Sequence, residues 1–364
     1  MALTPFERFS TRARFVVSQG ARVGWYGTQS ILASRMVDRI GRSLPEEERR
    51  TARTERPVPS RAELFADVRN LLLRDMRNVE AGLYPMPRDE RGGIAGALRR
   101  SRAYFDDLPE VVRRRHTHSY GEVGKLPSEP TRPDYYLQNF HFQSDGWMSE
   151  HSARLYDTQV ETLFLGAAAA MRRQALVPIA GELARRDQRR MGYIDLGCGT
   201  GSFLRTVNQA FPRLATVGVD LSEAYAAHTR DAVGSRPRTG AVVAAGETLP
   251  FADRGIDIAT AIYLFHELPP EVRTTVAREL ARAVRPKGLV VIVDSLQFGD
   301  RPDFDGLLEI FPQLFHEPYY RGYLVADLNE TFEEAGFAVE DSFTAFLSKV
   351  TVLRRKSSRV TKKS

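Results

Sequence analysis

The pattern of apolar and polar positions changes character near residue 190. Before it, apolar residues recur at helical spacing. In 1–40 these are Phe6, Phe9, Phe15, Val16, Ile31, Leu32, Met36, Val37 and Ile40, which predicts one or two helices. Residues 42–60 are charged and carry Pro45, Pro57 and Pro59, so a loop is expected. Residues 61–82 form an amphipathic helix with Leu64, Phe65, Val68, Leu71, Leu72 and Met76 on one face. Residues 83–134 read as short helices among Pro- and Gly-rich loops. Residues 135–148 are dense in aromatics with Asp145 as the one acidic or basic residue. A single long helix over 149–173 follows, with Leu155, Val160, Leu163 and Phe164 facing inward, and then one over 176–186.

From Gly192 onward short apolar runs alternate with helical segments, the signature of strand–helix units around a parallel sheet. Strands are expected at Tyr193–Leu196, Thr216–Val219, Ala241–Ala244, Ile256–Ala261 and Val290–Asp294. Helices fall between them at 202–211, 223–233 and 270–285, and 337–345 with 348–354 makes an antiparallel hairpin. The expected fold is α/β, a Rossmann-like seven-stranded sheet, mostly parallel with an antiparallel last strand, plus a helical N-terminal extension. The domains are then 1–185, helical and lid-forming, 186–355, the sheet domain, and 356–364, a basic disordered tail.

With 42% hydrophobic residues among 364, the chain can bury a core and is not a disordered one. No apolar run reaches membrane-span length. Glu7, Arg8, Arg12 and Arg14 break up any secretory signal. The one cysteine, Cys198, excludes an internal disulfide and fits a reducing, cytoplasmic setting. The +6 charge is compatible with an arginine-rich solvated surface, with nucleic acid, with an anionic bilayer or with anionic substrates, the solvated surface being read first. Trp25 and Tyr26 among arginines suit either peripheral contact at the inner membrane face or a helical cap packed on the catalytic domain or on a second copy.

The chemistry begins at Asp195-Leu196-Gly197-Cys198-Gly199-Thr200-Gly201, where an apolar strand runs into a glycine loop and then a helix. Glycine there permits a tight turn and close approach of backbone to a ligand. The spacing is tighter than the nicotinamide dinucleotide fingerprint, as expected without a phosphate to cradle. Cys198 is a small residue filling the loop. Asp220 ends the second strand about twenty positions later, where a carboxylate can accept from two ribose hydroxyls. Ser222 is the better candidate for capping the next helix.

These residues resemble the class I methyltransferase family, in particular its branch of quinone-biosynthesis C-methyltransferases and related small-molecule enzymes. The resemblance rests also on Gly218-Val219-Asp220-Leu221-Ser222, Glu247-Thr248-Leu249-Pro250-Phe251, Phe265-His266-Glu267-Leu268, and Leu280–Val284 with Arg285-Pro286-Lys287-Gly288. It spans about 190–355 and implies S-adenosyl-L-methionine as cofactor. It places Asp195, Gly197, Cys198, Gly199, Gly201, Asp220, Leu221, Gly246, Glu247 and Tyr263 at the cofactor. The family often has an acidic residue before the Glu-x-Leu-Pro-Phe stretch. Here Ala244-Ala245-Gly246 stands there, which leaves adenine to backbone near Gly246–Glu247 or to Glu247.

His266 and Glu267 fall beside the expected methyl position, as acceptor-orienting or proton-accepting groups, or as wall and helix-start residues. His141 is a third catalytic candidate. Tyr135, Tyr136 and Trp147 in the aromatic stretch, with His316, Tyr319 and Tyr320 in the insertion 295–324, are candidates to face the acceptor. No metal-ligand set is read. Glu267-Leu268-Pro269-Pro270 departs from the Asn/Asp-Pro-Pro-aromatic tetrad of nucleobase amino methyltransferases, and aromatic–basic interleaving is absent, which argues against nucleic acid. The expected reaction is methyl transfer to carbon or oxygen of a small, fairly apolar quinone-, polyketide- or lipid-like molecule. Methylation of a protein or RNA side group, or an idle cofactor-binding structural subunit, are the alternatives.

Overall fold

The computed structural model describes residues 4–44, 52–88, 92–125 and 132–357. The expected loop over 42–60 and the basic tail fall partly outside these, since 45–51 and 358–364 are not described.

The first half is helical. Helix α1, Pro5–Ser43, is one unbroken rod, opened by a reciprocal cap in which Thr4 and Glu7 satisfy each other's backbone N–H groups. Its N-terminal apolar positions are not a buried face: Phe6, Phe9 and Val16 are exposed, whereas Phe15 and Tyr26 are buried. Helix α2, Arg61–Glu80, starts with the same device at Ser60 and Glu63. Helix α3, Gly93–Thr117, is a 25-residue rod where only short helices were expected. Pro109 sits inside it, so the Pro and Gly content overstated the breaks.

The long helix expected over 149–173 is two helices, α4, Glu150–Leu163, and α5, Ala168–Arg173. The chain turns through left-handed backbone at Leu165 and Gly166, and a Cβ on Gly166 would lie 3.1 Å from the Arg22 carbonyl oxygen. The break lets α1 cross close to the α4–α5 corner, a tertiary requirement that periodicity does not carry. Helix α6, Leu176–Leu183, leads to the sheet.

The sheet comprises β1 Gly192–Leu196, β2 Ala215–Asp220, β3 Thr239–Val243, β4 Ile256–Ile262, β5 Val284–Ser295, β6 Phe337–Ala345 and β7 Ser348–Arg355. Their order is β3-β2-β1-β4-β5-β7-β6, and β7 runs antiparallel to both neighbours. Helices α7 Ser202–Ala210, α8 Glu223–Val233 and α9 Pro270–Ala283 cross between the parallel strands. The insertion after β5 holds α10 Asp305–Leu314 and α11 Tyr320–Leu324, and α12 Leu328–Glu334 precedes β6. Strand β5 begins six residues before the expected Val290. The Arg-Pro-Lys-Gly stretch joins it through an irregular register against β4. Every residue of β4 is buried, as a central parallel strand requires.

One apolar core runs from α2 and α5 through the sheet to α12, so the helical half and the sheet half share it. A buried ion pair reinforces the join: Asp75 on α2 accepts from Arg173 on α5, at 2.5 Å in its shortest contact, and from the Tyr84 hydroxyl. No helix of the described residues is long and apolar enough to cross a membrane.

Candidate active site at the carboxyl edge of the sheet

The glycine loop turns on three left-handed residues, Gly197, Gly199 and Gly201. Two serve packing or solvent-facing space in different ways. A Cβ on Gly201 would lie 2.9 Å from Thr229, so this glycine lets α7 and α8 approach. A Cβ on Gly199 would meet nothing within 4 Å, so that glycine keeps backbone open toward a ligand. Asp220 holds the loop: its Oδ2 accepts from the Gly199 N–H at 2.8 Å and its Oδ1 from the Ser222 N–H at 2.9 Å. Burial pushes its carboxyl up to about 6 against these hydrogen bonds. Ser222 caps α8, as expected, accepting from Tyr225 N–H. A cavity follows this edge, lined by Gly197, Gly199, Asp220, Leu221, Gly246 and Glu247, and Tyr263 closes its inner end.

Asp195, Cys198 and Gly201 lie outside that cavity. Asp195 is buried within the sheet, where its Oδ1 accepts from Thr260 Oγ1 at 2.6 Å, and burial pushes its carboxyl up to about 7. The Cys198 sulfur packs 2.7 Å from where Gly218 would carry a Cβ, so it fills space beneath the loop.

Tyr135, Tyr136 and Trp147, expected near the acceptor, line the glycine-loop cavity instead. Trp147 stacks on Phe140 with ring centroids 4.1 Å apart, and its carbonyl accepts from Ser222 Oγ at 2.6 Å. The Tyr135 hydroxyl donates to Glu247 Oε1 at 2.7 Å, which ties the aromatic segment to the strand-β3 side. This segment therefore roofs the glycine-loop cavity.

A second cavity of about 420 Å³ opens beyond Tyr263, Tyr156 and Glu267, which line both spaces. Its walls are mainly apolar: Ile31 from α1, Leu64 from α2, Val160 from α4 and Phe311 from α10. A third space of about 410 Å³ extends it between α1, α3 and α4 and shares His141, Tyr156, Val160 and Phe315 with it. Tyr320 lines the larger cavity, its hydroxyl 2.6 Å from Ser295 Oγ. His316 and Tyr319 do not. His316 stacks on Tyr120 at 4.1 Å, and burial, with the charge of His141, brings it down to about 4. The Tyr319 carbonyl accepts from Arg273 at 2.8 Å.

The polar end of this cavity gathers buried titratable groups. His266 Nδ1–H donates to Asp294 Oδ1 at 2.5 Å, and its Nε2 lies 3.4 Å from Glu267 Oε1. His141 Nε2 is 3.5 Å from that same oxygen and 3.0 Å from Glu317 Oε1. Burial favours neutral imidazoles here. Asp294 and Glu267 nevertheless hold His266 well above the ordinary range, and Glu317 and Glu267 raise His141. Burial opposes ionisation of Glu267, but hydrogen bonds from His141 and His266 keep its pKa low. Glu317 is pushed up to about 8, by burial first and by the Glu267 charge second.

Sequence reasoning brought His141, His266 and Glu267 into the site but missed Asp294, Glu317, Tyr156 and Arg172. Asp294 had a readable signal, an acidic residue closing an apolar strand at the sheet's carboxyl edge. Arg172 had one too, a cation directly after the apolar run Ala167–Met171. Its guanidinium lies 5.7 Å over the Tyr263 ring and 3.7 Å from Asp157, which accepts from Thr200 at 2.9 Å. Glu317 had none, because only the packing of the insertion turns it inward.

Residues 194–288 match the family model described as a methyltransferase domain. A ubiquinone/menaquinone biosynthesis C-methyltransferase of Geobacter sulfurreducens is 32% identical over 28% of this chain and 40% of its own. A sterol 4-C-methyltransferase of Caenorhabditis elegans is 28% identical over 29% of this chain and 32% of its own. The chain thus spans less than half the length of these curated relatives. The magnesium protoporphyrin IX methyltransferase of Synechocystis, solved with SAH bound, is 15% identical with a TM-score of 0.40, over 53% of this chain and 87% of that one. The match places the sequence of a methyltransferase domain on the sheet half of the chain, from strand β1 into strand β5.

Proposed function

We propose that this protein transfers the methyl group of S-adenosyl-L-methionine to carbon or oxygen of a small, fairly apolar acceptor. One observation carries the reading: the apolar cavity of about 420 Å³ meets the glycine-loop cavity across Tyr156, Tyr263 and Glu267. Its size suits an organic acceptor rather than a macromolecular side group, which would need an open groove. The names of the quinone and sterol relatives agree with such an acceptor.

The cradle fits the cofactor. Gly199 leaves open space at the loop, and Asp220 retains lone pairs for ribose hydroxyls beyond the two N–H bonds it accepts. Leu221 and Val276 offer apolar walls for a purine ring. Bound there, adenosylmethionine supplies a methyl group already activated on sulfur, so the protein's task is alignment and exclusion of water. Tyr263, held at a left-handed φ of 55° with its hydroxyl on Ser348, stands at the junction of the two cavities. His266, fixed by Asp294, presents Nε2 toward Glu267 and the acceptor space, where it can donate to an acceptor oxygen. Glu267, shared by both cavities, is placed to take a proton from an acceptor that must lose one.

The test is transfer of radiolabelled methyl from adenosylmethionine in extracts of the source cells. The expected result is label in the organic phase. Label confined to precipitated protein or RNA would overturn the acceptor class, and calorimetry showing no adenosylmethionine binding would overturn the reading altogether.

A further inference from the structure

We propose that His141, Glu267 and Glu317 form a divalent-cation site at the polar end of the apolar cavity. Their candidate ligand atoms, one imidazole nitrogen and one oxygen from each carboxylate, all lie within 4.8 Å of one another. Donors bound at ~2.1 Å to a cation sit roughly 3–4 Å apart, so the widest pair needs to close by no more than about 1–2 Å to hold an ion.

A second, independent observation is the state of the carboxylates. The Glu317 side chain is wholly inaccessible, yet neither of its oxygens has a hydrogen-bond partner, and Glu267 Oε2 is likewise unpartnered. The 3.0 Å approach of His141 to Glu317 has an ion pair's distance without a hydrogen bond's direction. Two buried carboxylates this close need a proton or a cation between them, and the Glu317 oxygens are left without any hydrogen bond.

The surroundings prepare the ligands. The His141 N–H donates to the His316 carbonyl at 3.0 Å, which locks the His141 turn to the strand of chain carrying Glu317. His141 adopts a left-handed φ of 56°, a strained conformation for a histidine that aims its ring inward. Asp294 accepts from His266, and His266 in turn faces Glu267, the kind of relay that orients ligands around a bound metal. One imidazole with two carboxylates suits Mn²⁺, Fe²⁺ or Zn²⁺ better than a soft, thiolate-seeking ion. Three protein groups would leave coordination positions open, and one of the three, Glu267, lines both cavities. An acceptor hydroxyl or carbonyl oxygen is the natural further ligand. The cation site stands on this cluster alone; its use by an acceptor rests on the methyl-transfer reading.

The experiment uses the full chain, stripped with chelator and retitrated with Mn²⁺, free Mn²⁺ being followed by its paramagnetic resonance signal. Zn²⁺ is titrated in parallel against a chromophoric competitor. The expected result is one site per chain, a rise in melting temperature on adding metal, and at least tenfold weaker binding in both Glu317→Gln and His141→Gln. Both variants should bind adenosylmethionine as the parent does, since neither residue lines that cavity, and this checks that they fold. Equal Mn²⁺ and Zn²⁺ binding by parent and folded variants, or none by any, overturns the proposal and leaves a proton-sharing cluster. A metal site without methyl transfer into any organic extract would refute the acceptor reading and leave the site standing.

Discussion

At the scale of single residues, the proposed cofactor site rests on the glycine loop and Asp220. Replacing Asp220 with alanine strands ribose hydroxyls and two loop N–H groups, so calorimetry should find adenosylmethionine binding weaker by about 1–3 kcal/mol. The same carboxyl gives binding a pH dependence. Burial puts its pKa at about 6, and the ionised form is the better acceptor for hydroxyls. Protons therefore compete with the cofactor, and affinity should fall as pH drops below 6, approaching tenfold per unit. Asp220→Asn keeps the shape and removes the titration; calorimetry from pH 5 to pH 8 should give it a flatter profile than the parent. These two features were legible because their chemistry is local: a loop that must turn on glycine and a carboxylate at a strand end. Asp195 was equally prominent in the sequence, but its hydrogen bond to Thr260 turns it into the sheet.

At the scale of elements, capping and alternation were readable and interruptions were not. Thr4 with Glu7 and Ser60 with Glu63 start α1 and α2 through side chains three residues apart. The break between α4 and α5 answers to α1, whose backbone passes within reach of Gly166. Gly166→Ala forces a Cβ against Arg22 at a φ of +81°. Denaturant unfolding should show a loss of about 1–3 kcal/mol, since alanine pays strain that glycine escapes. A substitution with no measurable cost would mean that the corner relaxes freely and that α1 does not set the break.

At the scale of the whole molecule, the helical half supplies walls of the larger apolar cavity, the proposed acceptor site. Ile31, Leu64 and Val160 come from three of its helices and meet Phe311 from the insertion after β5. Val160 lines both apolar spaces, so Val160→Trp should reduce binding of an apolar fluorophore while leaving adenosylmethionine affinity unchanged. Fluorescence titration beside calorimetry separates the two. The halves are also joined through charge. Asp75→Ala leaves Arg173 buried without its partner, at a cost of about 3–5 kcal/mol in denaturant unfolding.

The sequence by itself determined the alternation of strands and helices, the glycine loop, Asp220 and the candidates His141, His266 and Glu267. Each depends on residue type at short separation, where periodicity, backbone freedom and hydrogen-bond capacity act directly. Tertiary structure alone decided that the aromatic segment roofs the glycine-loop cavity, that α1, α2 and α4 wall the larger apolar cavity, and that Glu317 turns inward beside His141. Those facts join residues more than a hundred positions apart. Their physical cause is the burial of apolar faces against one another, which no spacing along the chain encodes.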